Sequence, residues 1–391
     1  MTTNRRTALF TWLFVGLSLL MQSCVYDSYP DEDGTGPADG EKAVLLLRVK
    51  AVGQSRAGYS NELMHSLRII ILDDNGKLER VRGANFSAAG TESYNLIAIP
   101  ITPGKKRVFL IANEESVNYE TPEGPASLTA YLNSLEEGQE DVSETLAEMV
   151  FTPDYTLDIP MTSSYDVDLK GGNNEETFYV VRAATKFDVS ITNSRSDDVT
   201  LESFSVSSVA DKSYLYPKFS EGAGIITQNG KKGFVFDSET ELHWVDWLYM
   251  ACEESQDKPN APLADERGWI MEYSVPASAT HAPENWNDAA TGIAPSATIK
   301  LPTHYCPESC RITEGIEPFH ADATGLEQQY RIMITLTSGG EQKQFDAVLP
   351  NLRALFRNTH VNITLTLNEK GIVWRIFVNP WNTITHPQII I

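Results

Sequence analysis

The sequence predicts an all-β protein made of two β-sandwiches in series, and three observations carry that prediction. From Ala43 onward apolar residues recur with a period of two, β-branched and aromatic residues fill those positions, and turn clusters punctuate the runs. In RNTHVNITLTL, residues 357–367, Val361, Ile363, Leu365 and Leu367 share one face, while His360, Asn362, Thr364 and Thr366 share the other. That alternation marks a strand buried on one side only. Tyr330, Ile332, Ile334 and Leu336 alternate likewise, and Ser338-Gly339-Gly340 supplies a turn into a return strand through Phe345 and Ala347.

In chain order, KAVLLLRVKAV (42–52) is the first strand and VGQSRAGYSNE (52–62) a flexible polar loop. LRIIILDDNGKLERV gives an apolar run from Ile69 to Leu72, a turn at Asp74-Asn75-Gly76 and a return from Leu78, and KRVFLIAN gives a buried strand from Val108 to Ala112. Two exceptions are helical. SLTAYLNSLEE sets Leu128, Tyr131, Leu132 and Leu135 at helical spacing behind a Ser127 cap, and VSETLAEMVF adds about two turns. Both read as covers for a sandwich end. KGGNNEE, 170–176, interrupts two strand-rich halves and places a division between residues 43–175 and 176–391.

Ahead of the first strand, residues 1–23 form an export signal: Arg5 and Arg6, then an apolar run from Ala8 to Met21, then Ser23. The run is about 14 residues, short of the roughly 20 needed to cross a bilayer. Leu20-Met21-Gln22-Ser23-Cys24 resembles a lipobox, so cleavage is expected between Ser23 and Cys24, with lipid on the Cys24 thiol. Stable anchoring takes more than one acyl chain, and a lipidated cysteine carries several. Residues 24–42 are acidic and rich in Pro and Gly, too polar to fold alone, and serve as a tether. Acidic residues directly after the cysteine also resemble a surface-export signal, placing the chain outward on an outer membrane.

The formal charge of −22 becomes −24 once Arg5 and Arg6 leave, which disfavours nucleic acid as a partner. About 365 mature residues exceed one ordinary core. No nucleophile elbow, phosphate loop, H-E-x-x-H or calcium loop occurs, so neither an enzyme nor a cofactor is expected. His304, Cys306 and Cys310 have a spacing that could serve a soft metal, but an oxidising exterior favours a small Cys306–Cys310 disulfide loop or unpaired thiols, and no metal is expected. Cys252 reads as a core residue, an unpaired thiol or a partner of either. Trp244 and Trp247 could line a sugar platform, though such residues more often fill a core.

Four segments together resemble fimbrillin-like proteins, the subunits of type V pili. They are FLIAN (109–113), IPMTSSYDVDL followed by FYVVRAATKFDVSI (159–191), RNTHVNITLTL (357–367) and VNPW (378–381), in the family's order from Ala43 to Trp381. LPTHYCPESC departs from it: where the family shows an aromatic-V-P-E-N segment, Glu308 is kept and Cys306 and Cys310 are added. The resemblance implies two transthyretin-like sandwiches, lipoprotein export, and assembly with other pilus subunits by donor-strand exchange after an arginine-specific protease removes the first strand. Arg56, beside Ser55, Ala57 and Gly58, lies where such a protease could cut, though it also reads as an ordinary loop arginine. WRIFVNPWNTITHPQIII then supplies a donor tail whose last ten residues reach about 33 Å, with Pro387 arguing against a central strand position. Two alternatives accompany this expectation: a terminal anchor that keeps its lipid and first strand, and a non-polymerising surface lipoprotein that binds a host protein or glycan.

Overall fold

The computed structural model describes residues 42–51, 59–207, 209–216, 284–287, 289–310, 331–348, 354–355 and 357–381, with isolated two-residue strands between 218 and 274. Ser23, Cys24, Arg56, Trp244, Trp247, Cys252, residues 382–391 and the Cys310 side chain lie outside the described residues. The fold is all-β with two short helices.

The first half contains β1 (Ala43–Ala51), β2 (Ser66–Leu72), β3 (Leu78–Asn85), β4 (Ser93–Ile101) and β5 (Gly104–Ala112). A hairpin of β6 (Asn118–Thr121) and β7 (Gly124–Ser127) leads into helices α1 (Leu128–Asn133) and α2 (Val142–Glu148). β8 (Val150–Phe151), β9 (Met161–Leu169) and β10 (Gly172–Arg182) complete this half. Seven strands follow the order β3-β2-β5-β9-β10-β1-β4. β9 and β10 pair only at Val181↔Thr162 and Arg182↔Met161, so the sheet folds over on itself. Leu45, Leu47, Val49, Ile99 and Phe178 thereby meet Ile69, Ile71, Leu110 and Tyr165 in one core.

All of Ser66–Leu72 is buried, because β2 has cover on both faces. On the second face Ile70, Leu72, Phe109 and Ile111 pack against Leu128 and Leu132 of α1 and Val142 and Leu146 of α2. The helices therefore lie on the outer face of β2 and β5, where the sequence suggests a sandwich end. Ser127 caps α1 as its spacing predicts, its hydroxyl accepting from the Ala130 N–H at 3.3 Å.

KGGNNEE forms the tight turn between β9 and β10. Asn174 closes it, its amide accepting from the Lys170 N–H at 2.9 Å and donating to the Lys170 carbonyl at 2.8 Å. Gly172 supplies the positive φ. β10 then runs unbroken past residue 175 to Arg182, and the chain passes into the next layers at Ala183-Ala184.

Beyond that point come β11 (Thr185–Asn193), β12 (Val199–Ser207), β13 (Ser213–Tyr214), β14 (Glu284–Asn285), β15 (Thr291–Ile293), β16 (Thr298–Lys300) and β17 (His304–Cys306). β18 (Arg331–Ser338), β19 (Glu341–Val348), β20 (Thr359–Asn368) and β21 (Gly371–Pro380) follow. β16 and β17 both pair with β11, which continues into β20 and β21; β14 and β15 both pair with β12, which continues into β18 and β19. Phe187, Val189, Ile191, Val361, Ile363 and Leu365 face Leu201, Phe204, Ile332 and Ile334 across the core. The β18–β19 turn falls at Gly339-Gly340, both at positive φ, as the sequence pattern requires.

Candidate functional site

β1 is an interior strand. It lies parallel to β10 from Ala43↔Gly172 to Ala51↔Val180 and antiparallel to β4 from Ala43↔Ile101 to Lys50↔Ser93, with one irregularity between Leu47 and Val49. Ala43, Leu45, Leu47 and Val49 are at most 1% exposed. Each of the larger three contributes about 1.5–3 kcal/mol by burial. Among the described residues no β1 side chain makes a hydrogen bond or ion pair, and Arg48 and Lys50 point to the outer side. The strand is held by backbone ladders and apolar contact alone.

After residues 52–58 the chain re-enters the structure at Tyr59. The sequence assigns 52–62 to a solvated loop, but its second part is drawn inward, because Glu62 finds a complete set of buried donors. The Lys186 ammonium donates to Glu62 Oε1 at 2.6 Å, Tyr305 OH donates to the same oxygen at 2.8 Å, and Trp381 Nε1 donates to Oε2 at 3.1 Å. Arg182 Nε donates to the Glu62 carbonyl at 2.9 Å. The rings close around these charges: Lys186 Nζ sits 4.4 Å from the Tyr59 ring centroid, and Tyr305 stacks on Trp381 at 5.7 Å. Burial lowers the Arg182 pKa to about 10, opposed by the Glu62 charge. Burial, then the Glu62 charge, push the Tyr305 phenol up, which keeps it a donor.

A second buried pair lies at the same junction between the halves. Arg357 Nε donates to Glu308 Oε2 at 2.6 Å and Arg357 Nη2 to Glu308 Oε1. Arg357 also donates to Thr162 Oγ1 of β9 at 3.1 Å and to the Leu215 carbonyl at 3.1 Å. Asn113 and Asn358 each take a left-handed backbone conformation that asparagine tolerates. Asn113 Nδ2 reaches the Leu63 and Ile159 carbonyls at 2.9 and 2.8 Å. The Trp381 N–H donates to the Asn358 carbonyl at 2.9 Å.

The residues that carry the sequence resemblance, Asn113, Arg182, Lys186, Arg357, Asn358 and Trp381, thus gather at one buried polar junction. Sequence reasoning missed Glu62, Tyr59 and Tyr305, and it noted Glu308 without giving it a partner. His304 stacks on Trp286, 4.6 Å between centroids, and Cys306 is buried in the second core. Among the described residues no group of His, Cys, Asp and Glu side chains is arranged to hold a metal.

No protein-family profile and no curated protein matches the chain. Solved structures do. The tip fimbrial protein Mfa3 from Porphyromonas gingivalis, C-terminally truncated, aligns with a TM-score of 0.51 at 13% identity over 87% of this chain and 100% of that one. A candidate cell adhesion protein from Parabacteroides distasonis aligns with a TM-score of 0.50 at 13% identity over 89% and 99%. At such identity the likeness is one of fold, and it runs along nearly the whole of both chains. The chain has the fold of these fimbrial and adhesion proteins.

Proposed function

We propose that this chain is a subunit of a surface fimbria, a fimbrillin-like structural or adhesive protein without catalysis of its own. It is exported as a lipoprotein on Cys24 to the outer membrane and joined to other subunits by strand exchange. The observation that carries this reading is how β1 is held: an interior strand fixed only by backbone pairing and alternate apolar side chains, interactions any suitable extended chain could supply. A cut after Arg56 would release the lipid, the tether and β1 together. The slot left between β10 and β4 would have unpaired backbone groups along both walls and an apolar floor, which a neighbour's strand must fill. Residues 382–391, which follow the buried Trp381 in the sequence, serve as the chain's own donor segment.

The lipidated protein exposed to an arginine-specific protease is the test. A new N-terminus at Ala57 with SDS-resistant multimers supports a fibre subunit that exchanges strands. Absence of a cut under conditions that process a fimbrial subunit contradicts it. The interior position of β1 favours a second reading, a lipid-retaining anchor that never loses this strand, and the same experiment separates the two.

A further inference from the structure

We infer that the β1 slot rejects this chain's own tail, and that its occupant in an assembled fibre is a proline-free strand from a different protein, apolar at four alternate positions of which the first is small. This rests on the strand-exchange reading above and names the partner that reading leaves open.

The slot has neighbours on both sides. A strand between two partners spends alternate N–H groups on each and has none to spare, so an interior proline forfeits a ladder bond and crowds a neighbouring strand. β1 is such a strand over nine residues, paired with β10 along all of them. Trp381 is 3% exposed and held by Glu62, so a donated tail can start no earlier than Asn382. Any nine-residue stretch within residues 382–391 contains Pro387.

The side-chain pattern fails as well. The slot accepts Ala43, Leu45, Leu47 and Val49 in turn, all buried. In one frame the tail offers Ile384, His386, Gln388 and Ile390, burying two polar groups without partners of their own kind. In the other frame it offers Thr385, Pro387, Ile389 and Ile391, with the proline at the second site and a threonine at the first. Neither frame reproduces a small residue followed by three aliphatic ones. The chain therefore accepts from one kind of subunit and donates its own tail to a slot of different pattern.

The test uses the full mature chain with a specific protease site placed in residues 52–58, so that nicking does not depend on Arg56. After nicking, the retained 43–51 segment is challenged with peptides, and its displacement is followed by mass spectrometry. A labelled 43–51 peptide is expected to exchange in, and the 382–391 peptide to compete at least about 100-fold less well. The same tail peptide carrying I384A, H386L, P387V and Q388V is expected within about tenfold of the 43–51 peptide. Equal competition by the unaltered tail overturns the inference while leaving strand exchange intact. Failure of the 43–51 peptide itself to enter overturns strand exchange and the inference with it.

Discussion

β1 and β11 are each the first strand of their half, each lies parallel to a strand from much later in the chain, and each buries every second side chain. They differ in what else holds them. Lys186 of β11 reaches Glu62 in a buried ion pair, and Asp188 accepts from His360 at 2.9 Å and from Thr303 at 2.6 Å. β1 has nothing comparable among the described residues: its two cations, Arg48 and Lys50, look outward without partners. Backbone pairing and apolar burial transfer to any chain of the right pattern; a buried carboxylate matched to one lysine, one phenol and one indole does not. The first half is closed by a ribbon held by pairing and apolar burial alone, and the second by a strand tied to its place through buried polar partners.

That contrast can be broken at several points. The largest effect is expected at the tied side. Glu308→Ala leaves the Arg357 guanidinium buried without its carboxylate and should cost about 3–5 kcal/mol in urea unfolding, and Glu62→Ala should cost a similar amount. Replacing both Arg357 and Glu308 with apolar residues should cost less than either single change, because no bare charge remains. Next, Leu47→Ala in β1 should cost about 2–5 kcal/mol and, in nicked protein, speed escape of the 43–51 segment.

A smaller, pH-dependent effect is expected at Asp188. Burial pushes its carboxyl up, but hydrogen bonds from His360 and Thr303 and the nearby Lys186 charge outweigh that and hold it below the usual range. A folded-state value below the unfolded one means its stabilisation is complete above about pH 4 and is lost as pH falls further. Asp188→Asn should flatten the acid limb of the melting-temperature profile between about pH 4 and pH 2. The smallest effect is expected on the outer side of β1, where Lys50→Ala should change stability by no more than about 0.5 kcal/mol. A loss there comparable to that of Lys186→Ala would erase the difference between the two strands.

Much of the fold was legible because strands write their burial locally. Val361 to Leu367 alternate in the sequence and alternate in the structure, whereas β1 is an unbroken apolar run from Ala43 to Leu47 in the sequence and alternates only in its burial. The double-sided burial of β2 was visible as an unbroken apolar run from Ile69 to Leu72, but not what covers it: the helices that do so begin over 50 residues later, and nothing in their spacing says which sheet face they meet. The junction was least legible. Glu62 sits in a polar stretch that reads as loop, and its partners Lys186 and Trp381 lie 124 and 319 residues away. A buried carboxylate has no period, so only the distant basic and aromatic motifs hinted that something must receive them. KGGNNEE reads as a break in the sequence and is a tight turn between two strands in the structure, because a tight turn and a linker use the same residues.

Stepwise loss of β1 in denaturant distinguishes a strand held by pattern alone from one locked into the junction. With the chain nicked in residues 52–58, release of the 43–51 segment is followed by mass spectrometry, and the junction by Trp381 fluorescence in a variant lacking the other tryptophans. The segment is expected to leave and to be replaceable while the junction signal stays native. Departure of β1 only in step with collapse of that signal would contradict it.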